Sequence, residues 1–167
     1  LEGYKVATKM AKHGAGGGSF SDWWAYKYEV IDAIPYNGPI LSEAGVTVAY
    51  NSDNAEMIRR LNQEAAKAVK YGGLSEEEAW KYVTLNPAKL LRIDDKVGSI
   101  AIGKHADLAL WSNNPLSIYA VAEKTIIEGA IFYDYDKLDA KILDNEKERE
   151  IIITQLKEAK KGGAKTQ

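Results

Sequence analysis

Apolar and β-branched residues fill Val46 to Tyr50 and stop abruptly at Asn51-Ser52-Asp53-Asn54. Beyond that corner, Ile58, Leu61, Ala65, Ala68 and Val69 recur at helical spacing, with Arg59, Arg60, Gln63, Glu64, Lys67 and Lys70 on the other faces. The pattern predicts a strand that hands over at once to an amphipathic helix, which Gly72-Gly73 then ends. Upstream, Val6, Ala7, Met10 and Ala11 predict a short helix closing at Lys12, His13 and Gly14. Gly14 to Phe20 reads as a tightly packed strand, and the Pro35 to Pro39 breaker cluster as a loop before a short helix. Downstream, Ser75-Glu76-Glu77-Glu78 is a capping box, and Asn86-Pro87 reads as the N-cap and first residue of a very short helix ending at Leu91. From Asp94 the texture turns to β: Val97 to Trp111, then Lys124 to Glu128 and Ala130 to Tyr133 across Gly129. Such short strands predict a small antiparallel layer instead of continued helix–strand alternation. The charge-dense tail from Leu138 predicts a terminal helix that frays after Lys161.

Composition narrows the classes of function. At 167 residues and 46% hydrophobic content the chain can build one ordinary domain with a real core. Its 22 basic and 24 acidic residues nearly cancel, and no basic stripe interleaved with aromatics argues for a nucleic-acid partner. No apolar run approaches the ~20 residues of a membrane-spanning helix, and no signal-peptide pattern opens the chain. The absence of Cys removes disulfides and thiolate metal ligands and leaves the compartment unspecified. A first residue of Leu sets the expectation of a carboxyl portion of something longer.

Candidate chemistry concentrates at the strand end. In α/β folds ligands gather at the carboxyl ends of parallel strands, which makes Asp53 the first candidate. Local pattern leaves a second reading open: Ser52 or Asp53 caps the next helix, with Glu56 three residues after Asp53. The glycine-rich Gly14 to Gly18 run matches neither a dinucleotide nor a phosphate loop, because Ser19 stands where Gly or Ala is needed and no Gly-Lys-Ser/Thr follows. Trp23 and Trp24 read either as pocket lining or as core filling, and their polar neighbours Ser21 and Asp22 favour a pocket rim. His13 reads as a helix-end cation and His105 as part of a surface turn.

Several stretches together resemble a known family: Glu2 to Ala7, His13 to Gly16, Ser19 to Lys27, Ile34 to Gly38, Asn51 to Asp53, Leu61 to Gly73, Thr84 to Leu91, and Val97 to Leu108. They are similar to the C-terminal part of the metal-dependent amidohydrolase superfamily, in the imidazolonepropionase-like group. The Asn86-Pro87-Ala88-Lys89 segment followed by Gly98-Ser99-Ile100 and Gly103-Lys104 carries the superfamily, and the Ser21 to Trp24 block narrows the group.

The resemblance implies an α/β fold: the C-terminal portion of a (β/α)8 TIM-type barrel (its last strands and helices), then part of a small β-sandwich and a C-terminal helix. Residues 1–92 would be the barrel part, 93–135 the sandwich segment and 136–167 the helical tail. Gly14 to Phe20 would be the seventh barrel strand and Val46 to Tyr50 the eighth. Asp53 would be both catalytic residue and metal ligand, exchanging protons with the attacking water, and Asp22, Trp23 and Tyr26 would contact substrate. The implied cofactor is a divalent metal, zinc by preference, in the full-length enzyme, with none expected on this chain alone. The His-x-His pair, bridging Lys or Glu and further His of the family are missing here. The implied partners are the absent N-terminal half of the barrel and a small amide-like substrate. Both edges of the two-strand pair are expected to lack neighbours, so self-association is expected too.

Two functions follow. One is a metal-dependent hydrolase of carbon–nitrogen bonds in non-peptide or cyclic amides, inactive as an isolated segment. The other is a non-catalytic, truncated homologue that acts as an assembly or binding module.

Overall fold

The computed structural model describes residues 1–21, 23–24 and 26–163 of the chain. A 3₁₀ turn at Gly3–Val6 runs into α1 (Ala7–His13), which Gly14 ends in the left-handed region at φ 78°. β1 (Gly17–Ser19) follows, then a long connection in which the described residues form a 3₁₀ turn at Tyr28–Val30, before α2 (Asn37–Glu43). β2 (Val48–Tyr50), a 3₁₀ turn at Met57–Arg60, and α3 (Leu61–Gly72), α4 (Glu76–Lys81) and α5 (Leu85–Leu91) complete the first half. β3 (Leu108–Trp111), β4 (Ala122–Ile127) and β5 (Ala130–Asp134) form the second, and α6 (Leu138–Gly163) ends the described chain.

β1 and β2 pair in parallel, Gly17 opposite Val48 and Ser19 opposite Tyr50. Their ladder runs through the odd residues of β2 and its flanks, with Gly17 N donating to Thr47 O and Asn51 N to Ser19 O. The even residues face the other edge. There Tyr50 N donates to Tyr82 O at 2.8 Å and Asn86 Nδ2 donates to Val48 O at 2.8 Å. Two consequences correct the sequence reading. Asn86 lies inside α5, which begins at Leu85, so its amide serves the strand and not a helix cap. The outer edge of β2 is closed by this segment, although it was expected to be bare.

The core forms on β2. Val48, Tyr50 and Leu41 are essentially dry, and Ala7, Val46, Ala68, Ala79 and Tyr82 complete the buried cluster. Leu41 reaches this core from α2, and a fully buried leucine contributes about 1.5–3 kcal/mol over an exposed one. The rings of Tyr50 and Tyr82 meet edge to face at 4.9 Å. α3 ends at Gly73, whose φ of 67° suits glycine. Its buried face differs from the apolar stripe read from sequence. Ala65 and Ala68 are buried as expected, but Ile58 is exposed and Glu64 is only 3% exposed.

The second half is antiparallel, in the order β3-β4-β5. Residues 97–107, expected to begin the β texture, form turns instead, pinned by Lys104 Nζ on the Asp94 carbonyl and on Ser99 Oγ at 2.7 Å. The β4–β5 hairpin turns at Glu128 and Gly129, both at positive φ, and Asp107 Oδ1 accepts from Glu128 N at 2.8 Å. Burial alone would push the Asp134 carboxyl up, but bonds from Lys124 and Lys137 outweigh it and hold the group below its usual value. The connection after β3 rests on the helices through Asn62 Nδ2 to Pro115 O and Asn114 Nδ2 to Glu76 Oε2, each 2.7 Å. α6 is exposed from Asp139 through Lys160, and helix persists through Gly163, past the expected fraying point.

Candidate active site

Because β1 and β2 are parallel, their carboxyl ends open at the same end of the pair. The Asn51 N to Ser19 O bond, 3.0 Å, carries the ladder one residue beyond β2, so the two following segments leave side by side. One carries Phe20, Ser21, Trp23 and Tyr26; the other carries Ser52, Asp53 and Asn54.

In the second segment the structure separates capping from chemistry. Asn54 Oδ1 accepts from Glu56 N at 2.8 Å and from Met57 N at 3.2 Å, while Ser52 Oγ accepts from Asn54 N at 3.3 Å. Neither Ser52 nor Asp53 caps the turn at Met57–Arg60, which overturns the capping alternative. The helix also starts later than the hydropathy pattern predicts, since Asn51 to Glu56 form a loop. Asp53 is exposed, and among the described residues its carboxylate carries no hydrogen bond or ion pair.

In the first segment, Trp23 stacks edge to face on Tyr26 with centroids 4.9 Å apart, and Phe20 lies 5.6 Å from Trp23. Trp23 is half-buried, and its indole Nε1 is enclosed without a partner among the described residues. Tyr26 is 64% exposed and forms the outer end of this aromatic wall. Trp24 turns away and packs on Tyr71 of α3 at 5.5 Å. Asp22 lies outside the described residues. Trp23 and Tyr26 are thus brought together, while Asp53 stands on the neighbouring segment with no hydrogen bond to them.

Ser21, read from sequence as part of a pocket rim, and Glu64, read as lying on a polar helix face, are both buried. The Ser21 hydroxyl donates to Glu64 Oε2, and Lys67 Nζ donates to Glu64 Oε1 at 3.0 Å. Burial pushes the Tyr50 hydroxyl well above its ordinary value, with Tyr82 and Glu64 adding to the shift. Burial likewise raises Tyr82, against an opposing hydrogen bond from Ser42. Glu64 stands four residues before Ala68, on the same side of α3, and that spacing was the available sign of its burial.

Among the described residues no group of three or more His, Asp or Glu could hold an ion. His13 ends α1 just before β1, at the opposite end of the strand pair from Asp53, and is exposed. His105 is exposed in a turn, its backbone N donating to Lys96 O.

Comparison with known proteins identifies the group. The family described as "Amidohydrolase family" matches residues 38–157. Amidohydrolase tasK of Hapsidospora irregularis is 34% identical over 116 residues, 69% of this chain and 12% of that protein. An imidazolonepropionase of Shewanella baltica is 58% identical over 38 residues, 23% of this chain and 9% of that protein. Among solved structures, an amidohydrolase from Thermotoga maritima superposes with a TM-score of 0.70 at 30% identity, covering 80% of this chain and 35% of that one. An adenosine deaminase from Xanthomonas campestris shares the fold with a TM-score of 0.61 at 18% identity, covering 90% and 40%. The chain therefore spans only a small part of the length of these curated relatives, and well under half of the solved chains. Its match to the family over most of its own length places it plainly: the chain belongs to the amidohydrolase family.

Proposed function

We propose that this chain is the C-terminal segment of a hydrolase acting on carbon–nitrogen bonds of non-peptide or cyclic amides, made up of the last strands and helices of a (β/α)8 barrel and part of a β-sandwich. The observation that carries this reading is the state of Asp53. It closely follows the ladder of a parallel pair, its carboxylate has no hydrogen bond or ion pair among the described residues, and the capping duty that would explain it otherwise belongs to Asn54. In this role Asp53 takes a proton from the attacking water and delivers it to the leaving nitrogen. Trp23 and Tyr26 form the wall that seats the substrate, and Asp22 is the third residue proposed to bind it.

Zinc is the ion this reading calls for, and the residues in hand do not make its site. Among the described residues Asp53 is one oxygen donor where three or four ligands are needed, and His13 and His105 lie elsewhere. The remaining donors belong, on this proposal, to an N-terminal half that is the chain's main partner. Self-association is the lesser partnership, using the outer edge of β1 and the exposed residues of the antiparallel sheet such as Leu110, Ile131 and Phe132.

The incomplete donor set favours a second reading, a non-catalytic homologue that only assembles. Mixing the chain with an N-terminal half bearing the missing ligands, in the presence of zinc and a panel of cyclic amides, separates the two. Hydrolysis that requires both parts supports the enzyme. Stable assembly without turnover supports the module.

A further inference from the structure

Between β1 and α2 the chain runs for seventeen residues, 20 to 36, with a single 3₁₀ turn as regular structure among the described residues. Such a connection cannot hold an aromatic wall in place by backbone hydrogen bonding alone. α3 grips it at two points on one side. Glu64, in the first turn of α3, accepts from the Ser21 hydroxyl, and Tyr71, two turns further on, receives Trp24. Ser21 and Glu64 are each only 3% exposed, so their bond is made out of water, where a charged acceptor binds most strongly and a lost partner is most costly.

We infer that Glu64 is a positioning residue: through Ser21 it fixes the start of the segment that carries Trp23 and Tyr26. A glutamate facing only Lys67 would gain little from complete burial, since a buried ion pair barely offsets the desolvation of its members. The hydroxyl of Ser21 supplies the additional bond, to the second carboxylate oxygen, and converts a helix-packing residue into an anchor for the loop. The location adds to this, because a carboxylate in the first turn of α3 also sits favourably against the helix dipole. That the anchored wall seats a substrate rests on the function proposed above. That Glu64 anchors it does not.

The test is hydrogen exchange read by mass spectrometry on the 167-residue chain. Glu64→Ala and Ser21→Ala should each speed exchange across residues 20–31 by about tenfold, the loss expected for one charge-assisted hydrogen bond. The double variant should add nothing further, because either change breaks the same contact. Glu64→Gln should keep most of the protection, since its amide oxygen still accepts from Ser21, although the charge facing Lys67 is lost. Unchanged exchange in Ser21→Ala, or acceleration in Glu64→Ala spread equally over α4 and α5, overturns the inference. Should Glu64→Ala fail to fold, Ser21→Ala and Glu64→Gln still decide it. In an active assembly, Ser21→Ala should raise KM several-fold at nearly constant kcat, whereas a purely structural loss would lower kcat and leave KM alone. If no mixture is active, the enzyme reading falls and the exchange result still judges Glu64.

Discussion

The side-chain amide of Asn37 donates to the hydroxyl of Ser19 at 2.8 Å, and its carbonyl oxygen accepts from Tyr4 N at the same distance. One 2% exposed residue at the start of α2 thus ties the N-terminal turn to the last residue of β1. Replacing Asn37 with Ala leaves a buried hydroxyl and a backbone amide without these partners. The variant should lose about 2 kcal/mol or more of stability, measured by urea denaturation. A midpoint equal to that of the parent chain would show that water takes over both bonds.

Asp53 and Asn54 should respond in opposite ways. In a complete enzyme, Asp53→Asn should cut turnover by about 100-fold or more at an unchanged melting temperature, because the shape is kept and the basic oxygen lost. Asn54→Ala should cost up to about 1 kcal/mol of stability while leaving turnover within a few-fold. Melting temperature and turnover measured on the same preparations check both, and unchanged turnover in Asp53→Asn would remove it from the catalytic machinery.

Metal retention gives a third check. The chain alone should keep well below one zinc per molecule after dialysis and elemental analysis, since a lone carboxylate falls short of a ligand set. A tightly held stoichiometric ion would reveal donors that the present site lacks.

Tyr50 predicts a specific alkaline limit. Its folded-state ionisation is raised by burial above the ordinary 10.0, so the native state keeps its proton after the unfolded chain has released it. For a raised value the associated stability is intact below the unfolded value and is lost as pH climbs toward the folded one. Stability should therefore decline above about pH 10, and Tyr50→Phe should flatten that decline. Denaturation midpoints from about pH 8 to about pH 12 in both proteins measure the difference.

Elements governed by local rules were legible in the sequence. The Ser75 cap accepts from Glu78 N as its spacing predicts, Gly14 and Gly73 end their helices, and the hairpin turns at Gly129. What was illegible depended on distant partners. Asn86 follows the pattern of an N-cap, yet Val48, thirty-eight residues away, claims its amide. Glu64 has the composition of a solvent face, and its bond to Ser21, 43 residues away, is what the local pattern could not show. Residues 97–107 carry strand-like composition, but the Lys104 amine recruits nearby carbonyl and hydroxyl oxygens and holds them in turns. Asp53 was legible as a position, through the strand that precedes it. Its freedom from capping was not, because Asn54 offers the same chemistry one residue later.

The closure of β2 has a mechanical meaning. Val48 O receives its hydrogen from a side chain, and a side chain can be withdrawn by rotation about two bonds without unfolding the helix that carries it. A strand arriving at that edge would exchange an Asn amide for a peptide amide, a donor of nearly the same strength. Asn86 therefore acts as a removable placeholder. It keeps the Val48 carbonyl from templating indiscriminate pairing, while the Tyr50 N to Tyr82 O bond between two core residues remains the larger barrier to a neighbour at this edge.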